Sequence, residues 1–254
     1  MTIKTNGIAL LFDKTALSFD STYELFIKRL VVPAGQITAL LGPSGCGKST
    51  LLNLAAGYLK AQSGVVYHDG VPLDGPALDT ALLFQQRNLF PWMSALENIS
   101  FALENQGWSA QKAKYQAMQY LSQVGLEAYA HHYPAALSGG MQQRVGLARA
   151  LAMQARLFLM DEPFSALDSY TRQQMYAHIL KAWERLSATF LIITHDVQDA
   201  LALAHQIVVM RRYPKPEIAQ VIHLDQKRLA KPNRLSVHQQ QSLIEIIYQE
   251  MKAS

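Results

Sequence analysis

From Gly42 to Thr50 the chain reads Gly-Pro-Ser-Gly-Cys-Gly-Lys-Ser-Thr, which fits the pattern G-x-x-x-x-G-K-[ST]. Glycines let a backbone wrap closely around phosphate oxygens and aim successive N–H groups inward, and a helix starting there adds positive potential. Gly42, Pro43, Ser44, Gly45, Cys46, Gly47, Lys48, Ser49 and Thr50 are therefore expected to cradle a nucleotide's phosphates. Lys48 would reach the β- and γ-phosphates, and the Ser49 hydroxyl would hold Mg²⁺. Four fixed positions arise by chance about once per hundred chains of this length. Cys46 stands beside Lys48 at a helix start, two features that lower a thiol pKa and would favour a reactive thiolate. The alternative is a small residue that merely fits a tight loop.

A second run, Arg156–Pro163, is a hydrophobic strand ending in two carboxylates. Asp161 is placed to bind Mg²⁺ through water, and Glu162 to take a proton from an attacking water. Two such acids alone could simply cap a helix. Beside a phosphate loop, the catalytic reading prevails.

The third run, Leu137-Ser138-Gly139-Gly140-Met141-Gln142-Gln143-Arg144-Val145, puts Ser-Gly-Gly before a helical pattern and makes a second anion-binding helix start. Here the chain resembles the ATP-binding subunits of ABC transporters, whose signature is LSGGQ-like. The resemblance implies that Ser138, Gly139 and Gly140 close on ATP held by the loop of a partner subunit. It also implies that Phe19 stacks on adenine and that Gln85 touches Mg²⁺ and the attacking water. Ser165–Asp168 would cross the dimer interface, and His195 would contact the γ-phosphate. Met141 stands where the family most often has Gln, and Phe19 where Tyr is commoner, with Tyr23 nearby as another ring. Leu89-Phe90-Pro91-Trp92, Tyr133-Pro134 and Gly140–Arg144 look like the importer subunits of the nitrate/sulfonate/taurine and hydroxymethylpyrimidine uptake group. Phe90 and Trp92 would either anchor a partner helix or pack a junction inside the chain. His131 and His132 have no ligand-like company and are assigned no metal.

The elements that must position these residues follow from periodicity. Strand-sized apolar runs lie at Gln36–Gly42, Ala81–Phe84, Arg156–Met160, Phe190–Thr194 and Gln206–Met210, as in buried parallel sheets. Gly64–Leu73 reads as a hairpin about Asp69-Gly70, and Lys48–Leu59 as a helix. Between Ala95 and Ala152 the pattern is helical, with Ala113, Ala117, Tyr120, Leu121 and Val124 on one face. Another stripe runs Leu167, Thr171, Met175, Ile179, Trp183, and an amphipathic helix is expected from Ser236 onward, with Val237, Leu243, Ile246, Ile247 and Met251 apolar. The expected fold is an α/β phosphate-loop NTPase core with a mainly parallel sheet, an N-terminal antiparallel β part and an inserted helical subdomain. Residues 1–254 would form one domain, with the core at about 1–94 and 153–254 and the helical part at about 95–152.

Half of the 254 residues are apolar and 17 % are charged, so disorder is excluded. No apolar run reaches the roughly 18–20 residues of a membrane helix, and no secretory signal is visible. The single cysteine fits a reducing compartment. Residues 1–210 carry 15 charges of each sign, so the net +4 (23 − 19) lies beyond Met210, with seven basic residues in 211–234. That segment is either a solvated tail or a weak attraction to an anionic membrane surface. A nucleic-acid binder would be basic throughout, so no nucleic-acid partner is expected.

The resemblance implies an ATPase that works as an ATP-bound homodimer with two membrane permease subunits and a solute-binding protein, at the cytoplasmic face of the inner membrane. Its cofactors would be ATP and Mg²⁺. An exporter ATPase or a non-transport ATPase of the same superfamily is the alternative. Repair and chromosome proteins need a long coiled coil between loop and signature, yet only 89 residues separate Lys48 from Leu137. A GTPase would show N-K-x-D, which is absent.

Overall fold

A computed structural model describes residues 6–18, 24–84, 89–212, 215–224 and 237–252. Two sheets carry the chain. Strands β1 (Leu10–Ser18), β2 (Glu24–Val32), β4 (Ser63–His68) and β5 (Val71–Pro72) form an antiparallel sheet in the order β2-β1-β4-β5. Its hairpin turns at Asp69 (φ 48°) and Gly70 (φ 79°), the double positive φ of a type I′ turn.

The second sheet contains β3 (Ile37–Leu41), β6 (Thr80–Leu83), β7 (Leu157–Asp161), β8 (Thr189–Ile193), β9 (Gln206–Arg211) and β10 (Glu217–His223). Its order is β10-β9-β3-β8-β7-β6, parallel except for β10 on the edge. Every residue of β3, β7 and β8 is buried, because helices or the other sheet cover both faces. One core packs this sheet against the helices α2 (Ala95–Glu104), α3 (Ala110–Gln123), α4 (Gly139–Ala152) and α5 (Ser169–Leu186). Another lies between the two sheets around α1 (Lys48–Ala56), and a third beneath α6 (Val197–Leu203) and α7 (Val237–Lys252).

Helices α2 to α4 fall between β6 and β7, as an insertion into the strand order. A capping box starts α2: the Glu97 N–H donates to Ser94 Oγ at 3.3 Å and the Ser94 N–H to Glu97 Oε2 at 2.7 Å. The expected stripe of α3 is buried throughout.

Three expectations need correction. Helix α1 stops at Ala56 rather than Leu59, because Gly57 takes a left-handed C-cap (φ 75°) and turns the chain away. In α5 the stripe is only partly core: Leu167 precedes the Asp168 N-cap, Thr171 and Trp183 are half-buried, and Met175, Ile179 and Ala182 face inward. In α7 Ile246 is exposed, whereas Ile247 is buried and Leu243 and Ile244 pack on the core. The α-helical period of 3.6 rotates neighbouring residues by about 100°, so Ile246 and Ile247 cannot share one narrow face.

The parallel register aligns the strand ends that matter. Leu40 of β3 and Asp161 of β7 both sit opposite Ile193 of the intervening β8. The segments beginning at Gly42, Glu162 and Thr194 therefore leave the same edge of the sheet, where α/β folds place their ligands.

Candidate active site

The turn from β3 into α1 holds the first cluster. Gly47 is the α1 N-cap at φ 97°, a conformation that favours glycine. Lys48 is buried, and its Nζ donates to the carbonyls of Gly42 (2.8 Å) and Pro43 (3.0 Å), drawing the loop around its own lysine. Ser49 Oγ donates to Asp161 Oδ2 at 2.9 Å, which joins the loop to the end of β7. Burial raises the Asp161 pKa, with the Ser49 bond opposing it. A cation at these oxygens would hold the carboxylate ionised. Hydroxyl and carboxylate are the hard oxygen donors that Mg²⁺ takes, with one or two protein ligands sufficing beside phosphates.

Of the two readings of Cys46, the structure agrees with the small residue that fits a tight loop. Its side chain is fully buried, and that burial raises its pKa despite Lys48 Nζ at 3.9 Å. It fills the inside of the loop as a small apolar residue.

Glu162 follows β7 with φ 47°, a left-handed backbone held by a bond from its N–H to the Ile193 carbonyl at 3.0 Å. Such a non-glycine conformation costs roughly 1–3 kcal/mol, and proteins keep it chiefly at functional sites. Glu162 Oε1 lies 3.4 Å from Nδ1 of His195. The histidine side chain is 65 % exposed and the carboxylate 19 %, so the pair opens outward at the sheet edge. A carboxylate and an imidazole at this spacing can share the work of orienting and deprotonating a water.

Ser138 is the exposed N-cap of α4, its Oγ accepting from the Met141 N–H at 3.2 Å. Met141 thus contributes its backbone to the cap and packs its side chain on the core. Gly140 lies beneath the loop after β7: a Cβ there would meet the Ala166 carbonyl oxygen at 2.9 Å. Among the described residues no hydrogen bond joins Ser138–Gly140 to the 42–50 loop. Phe19, Tyr23 and Gln85 lie outside the described residues.

Other residues around the site escaped the motif reading. Buried Gln143 donates to the Glu162 carbonyl (2.9 Å) and to Ser165 Oγ (3.3 Å) and accepts from the Ala166 N–H (2.9 Å). It ties α4 to the turn after β7. Arg172, Tyr176 and Asp199 form a second knot behind His195. Gln143 was visible inside the signature, but no local pattern separates a buried glutamine from a solvated one.

Beyond β6, Trp92 is 69 % exposed, so packing inside a junction is ruled out for its ring. It tilts against Phe90 at 5.6 Å, and Phe90 meets Phe101 edge-on at 5.2 Å with the Arg149 guanidinium 5.3 Å from its ring. In the basic stretch, Arg211 pairs with Glu217 and Lys215 with Glu24. Lys227, Arg228, Lys231 and Arg234 lie outside the described residues. No helix among the described residues is long and apolar enough to cross a membrane.

A phosphate-binding loop, a strand-end carboxylate pair and a capped Ser-Gly-Gly helix on one α/β scaffold define an ATP-hydrolysing cassette. The ABC transporter family model matches residues 28–165, and the chain belongs to that family. It is 48 % identical over 185 residues to the taurine import ATP-binding protein TauB of Chromobacterium violaceum, covering 73 % of this chain and 71 % of the relative. The TauB of a Yersinia pestis strain is 43 % identical over 185 residues, with 73 % and 72 % covered. Among solved structures, the dimeric post-hydrolysis state of the ATP-binding cassette MJ0796, bound to ADP and phosphate, matches with a TM-score of 0.76 at 30 % identity. That match covers 85 % of this chain and 99 % of the cassette. The protein is an ATP-binding ATPase subunit of the ABC type.

Proposed function

We propose that two copies of the chain sandwich two ATP molecules, each between Gly42–Thr50 of one copy and Ser138–Gly140 of the other. The chain is the energy-coupling subunit of an import system and drives uptake of a small solute. It docks on two membrane permease subunits at the cytoplasmic face of the inner membrane, supplied by a solute-binding protein. The importer relatives named for taurine support this reading and make an organosulfonate the first solute to assay. The domain division about 95–152 would let the signature helix move relative to the phosphate loop.

Lys48 and the loop N–H groups bind the β- and γ-phosphates, Phe19 stacks on adenine, and Ser49, Asp161 and Gln85 would hold Mg²⁺. Bound there, the ion neutralises charge on the phosphate oxygens. Glu162 accepts the proton of the attacking water, and His195 orients the γ-phosphate end of the site.

The observation that carries the proposal is the Glu162–His195 approach of 3.4 Å at the sheet edge that also bears the loop. Glu162→Gln keeps the shape and removes the base, so hydrolysis falls by about 10²–10⁴-fold while ATP still binds and a dimer accumulates. Near wild-type hydrolysis by that variant, measured as phosphate release, overturns the role of Glu162.

A further inference from the structure

Two loops of different sequence origin meet at the hydrolytic pair. Glu162 heads the segment 162–168 after β7, and His195 belongs to the segment 194–199 after β8. Their separation depends on what holds the two segments together. Helix α5 lies beside both. Arg172 and Tyr176 are four residues apart on it and so lie on one face.

Each of these side chains touches both segments. Arg172 donates through one terminal nitrogen to Asp196 Oδ2 at 2.6 Å, with Asp199 Oδ1 at 3.6 Å, and through the other to the Leu167 carbonyl at 3.5 Å. The Tyr176 hydroxyl donates to Asp199 Oδ1 while its ring stands edge-on to Phe164 at 5.0 Å. Asp199 is itself buried, and its second oxygen accepts from Thr194 Oγ1 at 2.5 Å. Thr194 Oγ1 accepts in turn from the Asp196 N–H at 3.0 Å. The residues on either side of His195 are thus in one bonded ring with α5, whereas the histidine side chain projects outward.

We infer that Arg172 and Tyr176 are positioning residues that set the Glu162–His195 geometry by clamping the 162–168 and 194–199 segments to α5. Neither reaches the reacting atoms. Both act through the contact between His195 and Glu162, and the inference rests on the proposed hydrolytic role of Glu162 and His195. A buried carboxylate with one hydrogen-bond donor on each oxygen and a guanidinium beside it is costly to rearrange, because withdrawing a donor leaves an oxygen without its hydrogen bond in a dry site. The clamp therefore favours one setting of the turn. A shift of about 1 Å in such a geometry can cost up to 10²-fold in rate.

The test is a pair of double-mutant cycles on the full chain: Arg172→Lys and Tyr176→Phe, each alone and combined with His195→Ala. Steady-state ATPase, ATP affinity and melting temperature are measured for each. Each single clamp variant lowers kcat by roughly tenfold to a hundredfold with ATP affinity unchanged. In the His195→Ala background the same substitutions have no further effect on kcat, because their route to the chemistry is gone. Additive losses in that background, or unchanged kcat in both clamp variants, overturn the inference. A fall in melting temperature with kcat per folded molecule preserved assigns the cluster to stability alone and overturns it as well. If His195→Ala by itself leaves hydrolysis intact, the underlying reading of the site fails instead, and that arm distinguishes the two.

Discussion

The 42–50 loop and the Ser138–Gly140 turn are both glycine-rich helix starts, yet they are built differently. The first is internally complete: Lys48 is buried and bonds two carbonyls of its own loop, Cys46 fills the interior, and Ser49 reaches Asp161. The second is a surface. Ser138 is exposed and caps its own helix, and Gly140 is pressed against the 162–168 segment through Ala166. One turn is closed within the chain, and the other is presented outward. On the proposed reading the two turns need not face each other within one chain, because a second copy supplies the complement.

The largest effect expected from breaking this comparison is loss of hydrolysis in Lys48→Ala and separately in Ser138→Arg, each by at least about 10²-fold, as when preorganised charge-stabilising donors are removed. Mixing the two inactive proteins should restore part of the activity, because the mixed dimer contains one intact composite site. No recovery in phosphate release on mixing would mean that both segments act within one chain.

Acid should loosen the strand that leads into the loop. The Ile37 N–H at the start of β3 donates to Nδ1 of buried His205 at 3.0 Å. Burial pushes this imidazole down from 6.5 to about 4. The unfolded chain is therefore easier to protonate, so this contribution is complete above about pH 6.5 and drains as pH falls toward 4. At 1.36 kcal/mol per unit the full loss is about 3 kcal/mol. His205→Gln, whose amide oxygen can accept the same bond, should show a shallower fall of melting temperature from pH 6.5 to 4.5. Parallel slopes for variant and wild type would remove His205 as the cause.

A thiol probe sharpens the contrast in solvent access. Maleimide should label Cys46 in the native protein about tenfold or more slowly than after denaturation, since a buried, raised-pKa thiol offers little thiolate. Fast native labelling would contradict the closed loop.

The smallest effect concerns the surface near the signature helix, where Arg149 of α4 lies over Phe90. Trp92→Ala should change stability by no more than about 0.5 kcal/mol, because its ring is mostly in water. It should nonetheless cut recovery of complexes with the membrane subunits. A large drop in melting temperature, or undiminished complex recovery, would refute partner docking at Trp92.

Much of this molecule was legible in its residues because the informative chemistry is local. The nine residues from Gly42 to Thr50, the strand ending in Asp161-Glu162 and the Ser-Gly-Gly start of α4 carry their geometry in consecutive backbone. The mostly apolar β3, β7 and β8 announce a two-sided sheet by composition alone. Cys46 stayed open between two readings because a helix start and a neighbouring lysine are local signals, whereas the desolvation that outweighs them depends on the fold. Tertiary structure alone decided the strand order, in which β8 separates β3 from β7 and thereby brings His195 to Glu162 across 33 residues of chain. It alone decided that Asp199 and Gln143 are buried tethers, and Arg172 and Tyr176 half-buried ones, rather than solvated polar groups. The physical reason is that burial and hydrogen-bond partnership are properties of what packs against a side chain, and the partners here come from segments remote in sequence.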